Sequence, residues 1–127
     1  MPFKTVSLPT SKATIIAQNR QTGQAAEELL GNIVGGTPQA HFPTTHGSRF
    51  LDRLVGRWGH EAKAGRVTAT KFTKKQIAKD TELILNKDID GATWHFFISP
   101  TTGKGGASKN VLKLLEDSGI DYFNHFK

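Results

Sequence analysis

The sequence predicts an α/β domain, a mixed central sheet flanked by helices. Two observations carry that expectation. Apolar residues recur at helical spacing in three segments, at Ala25, Ala26, Leu29, Leu30 and Ile33, at Ile77, Ala78, Leu83 and Ile84, and at Val111, Leu112, Leu114 and Leu115. Between them lie short stretches of strand character, of which Trp94-His95-Phe96-Phe97-Ile98 is the most apolar. The resulting order is helix, three strands, helix, strand, helix, strand.

The first helix is expected over residues 19–34, capped by Asn19 or Thr22 and ended by Gly35-Gly36-Thr37-Pro38. Residues 37–48 read as a polar loop carrying His41 and His46, a pair placed where it could ligate a metal or stand idle in solvent. Two strands follow, a first carrying Asp52 and a second carrying Glu61 and Lys63, joined by a turn punctuated by glycine. Gly65 marks a turn, and the partly β-branched run Arg66-Val67-Thr68-Ala69-Thr70 reads as a third strand. Thr73 is the expected cap of the second helix, which runs to about Asn86. Asp88-Ile89-Asp90-Gly91 is a turn, because it lacks the later ligands of a calcium loop. Thr93 to Ser99 is then a central strand covered on both sides. His95 within it reads as a core or rim histidine. Thr101 to Ser108 does not match a phosphate-loop signature, but lying between a strand and a helix it allows anion contact. Ser108 caps the third helix, Gly119 ends it, and residues 120–126 form the last strand.

Composition narrows the function. At 127 residues the chain has the size of one domain. With no Cys it has no disulfide, thiolate metal site or cysteine nucleophile. A net charge of +6 points to a polyanionic partner, nucleic acid before a membrane surface. Lys71, Lys74, Lys75 and Lys79 cluster in and before the second helix. No window approaches the ~20 apolar residues of a membrane span, and no signal-peptide core is present, as expected of a piece of a longer chain or of a small cytosolic protein.

The chemistry concentrates in Asp52-Arg53-Leu54-Val55-Gly56-Arg57-Trp58-Gly59-His60-Glu61-Ala62-Lys63. Residues two apart in a strand share a face, so Glu61 and Lys63 point the same way. A hairpin brings Asp52 to them. Two carboxylates and an ammonium at one point suit a hard divalent cation. Such an ion lowers the pKa of a bound water and stabilises a crowded phosphate, while the ammonium orients that water or neutralises developing charge.

With these residues in view, the chain resembles the restriction-endonuclease-fold, or PD-(D/E)xK, toxin domains of bacterial polymorphic toxins, among them contact-dependent growth inhibition proteins. The resemblance runs over residues 19–125. It rests on the strings 49–56 and 59–66, on Gln76-Ile77-Ala78-Lys79-Asp80, on Trp94-His95-Phe96-Phe97 and on Thr102-Gly103-Lys104-Gly105-Gly106. It implies a nuclease domain over residues 19–127 behind an N-terminal extension, 1–18. It puts the acidic residue on the first meander strand and the E-x-K on the second.

The resemblance also assigns roles. Asp52 and Glu61 become the main metal ligands and Glu27 an outer carboxylate on the first helix, with Glu28 beside it leaving open which acid faces inward. Lys63 positions or helps deprotonate water, and Gln76 assists from the second helix. Leu51 stands where the motif's Pro would be. The implied cofactor is Mg2+, with Mn2+ or Zn2+ as alternatives. The implied protein is secreted within a larger exoprotein, acts in the target cell's cytoplasm on DNA or tRNA, does not insert stably in membranes, and is neutralised by a cognate immunity protein. The alternatives are a non-catalytic basic nucleic-acid-binding module, in which acids beside a phosphate site are unexplained, and a structural domain with solvated charges.

Overall fold

A computed structural model describes the backbone of residues 12–126 and the side chains of residues 20–126. Residues 1–11, most of the expected extension, lie outside the described residues. The elements are α1 (Lys12–Val34), β1 (Thr37–Phe42), β2 (Arg49–Val55), β3 (Trp58–Ala64), α2 (Lys71–Leu85), β4 (Gly91–Phe97), α3 (Lys109–Asp117) and β5 (Asp121–Asn124). They form a five-stranded mixed sheet in the order β1-β2-β3-β4-β5. β1, β2 and β3 pair antiparallel, and β4 and β5 are added parallel.

This topology sets the layers. β3 to β4 and β4 to β5 are crossovers that advance in one direction. Right-handed crossovers then put both connecting helices on one face. Ile77 and Leu83 of α2 and Val111 and Leu115 of α3 share a core with Leu51, Trp94 and Phe96. α1 takes the other face, where Ala26 and Leu30 pack on Phe97, Ala62 and Ala64. β4 lies between two parallel neighbours, and neighbouring aromatics on it serve opposite cores, as the two-residue period of a strand requires. None of the helices among the described residues is long and apolar enough to cross a membrane.

Besides shifts of one to two residues at the ends of β4 and β5, expected at 93–99 and 120–126, four boundaries differ from the sequence reading. α1 begins at Lys12, so neither Asn19 nor Thr22 caps it, and the 18/19 boundary falls inside a continuous helix. Its end is as expected: Gly35 takes a φ of 70° and its N–H returns to Gly31 O at 2.8 Å. Residues 37–42 are an edge strand and not a loop, pairing with β2 from Thr37–Leu54 to Phe42–Arg49. Residues 66–70 are not a strand. Val67 makes one isolated bridge to Ala107, and the chain turns away at Gly65, whose φ is 84°. α2 starts at Lys71 and is capped by Thr70, whose hydroxyl accepts from Thr73 N–H. Because β1 joins the meander and 66–70 leaves it, Asp52 lies on the second meander strand and Glu61 and Lys63 on the third.

β2 and β3 are joined by the two residues Gly56 and Arg57. Gly56 has a φ of 61°, as a two-residue hairpin turn with glycine first requires. α3 is capped by Ser108 as expected, its hydroxyl accepting from Val111 N–H.

Candidate active site

The site is made where two strands part. The β2–β3 ladder runs from Val55–Trp58 to Arg53–His60 and stops there. Continued, it would pair Leu51 with Ala62. The Ala62 N–H donates instead to Asp52 Oδ2 at 2.8 Å, so a side chain replaces a strand in the ladder. Strict alternation also fails at this point. Leu51 and Leu54 are three apart yet contribute to the same core. Between them, Arg53 reaches towards α1, where a Cβ at Gly31 would collide with its guanidinium. On β1, Gln39 lies opposite Asp52 with a φ of 49°, unusual for a residue with a side chain and a mark of local strain.

Glu61 and Lys63 share a face, as their spacing requires, and it is the face that α2 covers. Lys63 Nζ lies 3.1 Å from Glu61 Oε2 and donates to Gln76 Oε1 on α2. Its ammonium stands 5.1 Å from the Trp94 ring centre and 5.6 Å from that of Phe72, within cation–π range. Glu61 is buried, and its Oε1 has no hydrogen-bond donor; the nearest cation is Arg49 Nη2 at 3.2 Å. Arg49 is itself buried and is held by Asp80 of α2, Nε to Oδ1 at 2.6 Å and Nη2 to Oδ2 at 3.2 Å. Trp94 Nε1 donates to the same Asp80 Oδ2 at 2.9 Å. Burial opposes the charge on Arg49, but Glu61 and Asp80 outweigh it and hold the guanidinium firmly protonated.

Glu27 arrives from the other face. Gln39 Nε2 donates to Glu27 Oε1 at 2.7 Å and to Asp52 Oδ1 at 3.3 Å, so one amide bridges two carboxylates. Glu28 is exposed, which settles which of the adjacent acids turns inward. Burial raises the Asp52 pKa, and the neighbouring Glu27 raises it further against the pull of the Ala62 N–H. Burial likewise raises that of Glu61, opposed by Arg49 and Lys63. Both acids are thus costly to ionise without added positive charge.

The donors are hard oxygens, and Glu61 Oε1 is buried without a donor, so by type the residues fit a divalent cation. They do not stand as a finished cluster. Among the described residues no three carboxylates or imidazoles converge to hold an ion. The Gln39 amide occupies the approach between Glu27 and Asp52.

Two cavities flank the gap. One, of about 430 Å³, is lined by Glu27, Glu28, Gln39, Asp52 and Arg53. The other, of about 510 Å³, is lined by Lys63, Arg66, Lys104 and hydroxyl side chains. The larger cavity at the β5–α3 corner, about 600 Å³, includes none of the site residues.

Other expectations fare differently. His41 and His46 do not form a ligand pair. His41 shares a hydrogen bond with Ser48 Oγ at 3.0 Å and packs on Phe50, while His46 is near Glu82. Of the lysine cluster, Lys74 lines a cavity with Leu114 and Asp117 of α3, and Lys79 donates to Ser48 O. The cations that line a cavity with Lys63 are Arg66 and Lys104. Sequence reasoning missed Gln39, Arg49 and Asp80. Asp80 falls three residues after Ile77 and three before Leu83, an inner-face position that was readable. It also missed a row of imidazoles that runs from β3 across β4 to the residue just past β5. His60 Nδ1 and His95 Nε2 are 2.8 Å apart, and His95 Nδ1 and His125 Nε2 are 2.7 Å apart. His125 stacks on Phe97 at 4.5 Å.

No protein-family profile, curated protein or solved structure matches the chain.

Proposed function

We propose that this domain is a metal-dependent nuclease of the PD-(D/E)xK type, delivered as a toxin and restrained by an immunity protein. The observation that carries the reading is the contact of Lys63 with both Glu61 and Gln76, beside Asp52, at the gap between β2 and β3. Four side chains from three elements meet there although each alone is an unremarkable polar residue. Burying acids at a cost to the fold is typical of sites kept for chemistry.

Asp52 and Glu61 would hold the metal, with Glu27 joining directly or through water once the Gln39 amide moves aside. The metal, when bound, supplies charge for a phosphate and acidity for a water. Lys63 orients the attacking water with its ammonium, and Gln76 fixes the ammonium. Arg49, anchored by Asp80, holds the Glu61 carboxylate in place. All ligands are oxygens and neither flanking cavity is lined by an imidazole, which favours Mg2+ or Mn2+ over Zn2+. The substrate is DNA or tRNA. The immunity protein presents an acidic patch to the basic side of the gap, near Lys63 and Lys104, where opposite charge speeds association.

The test is purified protein with plasmid and with total tRNA, with Mg2+ or Mn2+ and with EDTA. Cleavage is expected only with metal. Lys63→Met and Glu61→Gln are each expected to lower the rate by at least ~100-fold while circular dichroism is retained. Metal-independent cleavage, or full activity in either variant, refutes the site. In a bacterium the domain alone should arrest growth and co-expression of the gene encoded next to it should restore growth; harmless expression of the intact domain refutes the toxin reading.

A further inference from the structure

The cavity between β3, α1 and the loop after β4 has no role in holding a metal. Its lining is the opposite of the acidic cavity on the other side of the gap. Arg66 and Lys104 supply two positive charges, and Thr22, Ser99 and Thr102 supply hydroxyl groups; Lys63 also lines it, with its ammonium held by Glu61 and Gln76. No carboxylate lines it. The loop that carries Lys104 is held in shape. Ser99 N–H donates to Lys104 O at 2.8 Å, Gly103 N–H returns to Ser99 O at 2.7 Å, and Ser99 Oγ accepts from the N–H groups of Thr101 and Thr102. The loop is tied to α1 by the Thr22–Thr101 hydroxyl pair at 3.3 Å. Arg66 spends one N–H on Ala107 O, and among the described residues neither Arg66 nor Lys104 is in an ion pair.

We infer that this cavity is the subsite for a backbone phosphate adjoining the one that is cut, gripped by Arg66 and Lys104 on a single nucleic-acid strand. The inference rests on the nuclease reading for its place beside Lys63. Three features carry it. A polyanion cannot lie over Glu27, Asp52 and Glu28 without a cation between, so the strand must leave the gap by the basic side. Lys63 lines this cavity and its ammonium contacts Glu61, so the cavity adjoins the strand segment that carries both residues. The volume of about 510 Å³ and the closure by the Thr22–Thr101 contact suit one strand and not a duplex. Phosphate contact positions a strand without reading its bases, so the subsite serves ribose and deoxyribose backbones alike.

The test uses the Glu61→Gln protein, with EDTA present to suppress cleavage. Its binding to short fluorescein-labelled single-stranded oligonucleotides, one deoxyribo and one ribo, is followed by fluorescence anisotropy over a salt series. Adding Lys104→Gln or Arg66→Gln is expected to weaken binding about fivefold or more at low salt. Each should also lower the slope of log K against log salt by about 0.7, the value for one contact to a single strand. Adding Lys74→Gln, which faces α3, is expected to change neither. Equal losses in all three would mean diffuse attraction to a basic surface and would overturn the subsite, as would unchanged slopes or no binding by the parent. The two oligonucleotides are expected to lose the same factor with Lys104→Gln or Arg66→Gln; a loss confined to one of them would overturn a subsite that grips phosphate alone. In the cleaving wild-type protein, Lys104→Gln is expected to raise KM more than it lowers kcat. A wild-type protein that binds through Lys104 yet never cleaves with metal would sink the nuclease reading and leave the subsite standing.

Discussion

Asp80→Asn tests the frame behind the site. Asp80 is fully buried and accepts three hydrogen bonds, two from Arg49 and one from Trp94. All three partners are donors. An asparagine has one oxygen and one NH2, so whichever way it turns, an N–H is aimed at a donor that had an acceptor. Arg49 keeps Glu61 as its charged partner, 3.2 Å from Nη2, and the Phe50 carbonyl at 3.2 Å from Nη1. Removing one partner of a buried charge pair costs roughly 3–5 kcal/mol, and the contact to Glu61 retains part of that. The expected loss is about 3 kcal/mol, a large share of the roughly 5–15 kcal/mol that holds a domain together. Urea unfolding measures it: with a slope of roughly 1–3 kcal/mol per molar, the midpoint should fall by about 1–3 M. Asp90→Asn is the comparison. It removes a partner of Arg57 in an exposed pair, with side chains 54% and 64% accessible, and should change stability by under about 1 kcal/mol. If Asp80→Asn costs no more than Asp90→Asn, the buried pair is not what anchors Arg49.

Two further outcomes follow from the charges. Asp52→Asn should raise Tm at pH 7 while abolishing cleavage, because ionised Asp52 sits in a site that disfavours its charge; a lower Tm would mean that the Ala62 N–H outweighs burial and Glu27. Burial, aided by repulsion from His60 and His125, holds the His95 pKa down to about 4. The unfolded chain therefore binds more protons below its ordinary value of 6.5, so this contribution to stability is whole above 6.5 and is lost as pH falls towards 4. At ~1.4 kcal/mol per unit, discounted for solvent at the edge of the row, it amounts to about 2 kcal/mol. The carboxylates Glu61 and Asp52 slope the other way, so the measurement is the difference between wild type and His95→Phe, by Tm from pH 7.5 to 4.5. Parallel curves would refute the assignment.

What the sequence disclosed was what local pattern controls. The β2–β3 hairpin was legible from the glycine-punctuated turn at Gly56, and Glu61 with Lys63 from their spacing alone. Glu27 entered only through resemblance, since nothing in 19–34 distinguishes it from Glu28 except the face α1 turns to the sheet. β1 was hidden because an edge strand with Pro38, polar residues and an exposed outer side has no periodicity to show. Arg66 to Thr70 had strand-like residues but no partner strand, and pairing decides where propensity is weak. Gln39 was unreadable: its left-handed backbone comes from the parting of two strands that local sequence does not foretell. The histidine row depends on the register of parallel strands, which involves residues up to 65 positions apart.

The Ala62 amide has a consequence for observing this protein. Its proton is held by the Asp52 carboxylate and by no strand, so its resonance frequency follows the charge on that one side chain. In a heteronuclear spectrum, one backbone peak thus titrates with a half-buried acid that no dye or substrate reports. Its exchange with deuterium measures how often the acid lets go. Any cation that draws Asp52 away from the strand will move this peak before a single bond in a substrate is broken. The place where the sheet gives up a hydrogen bond is therefore also where the state of the site is written in the backbone.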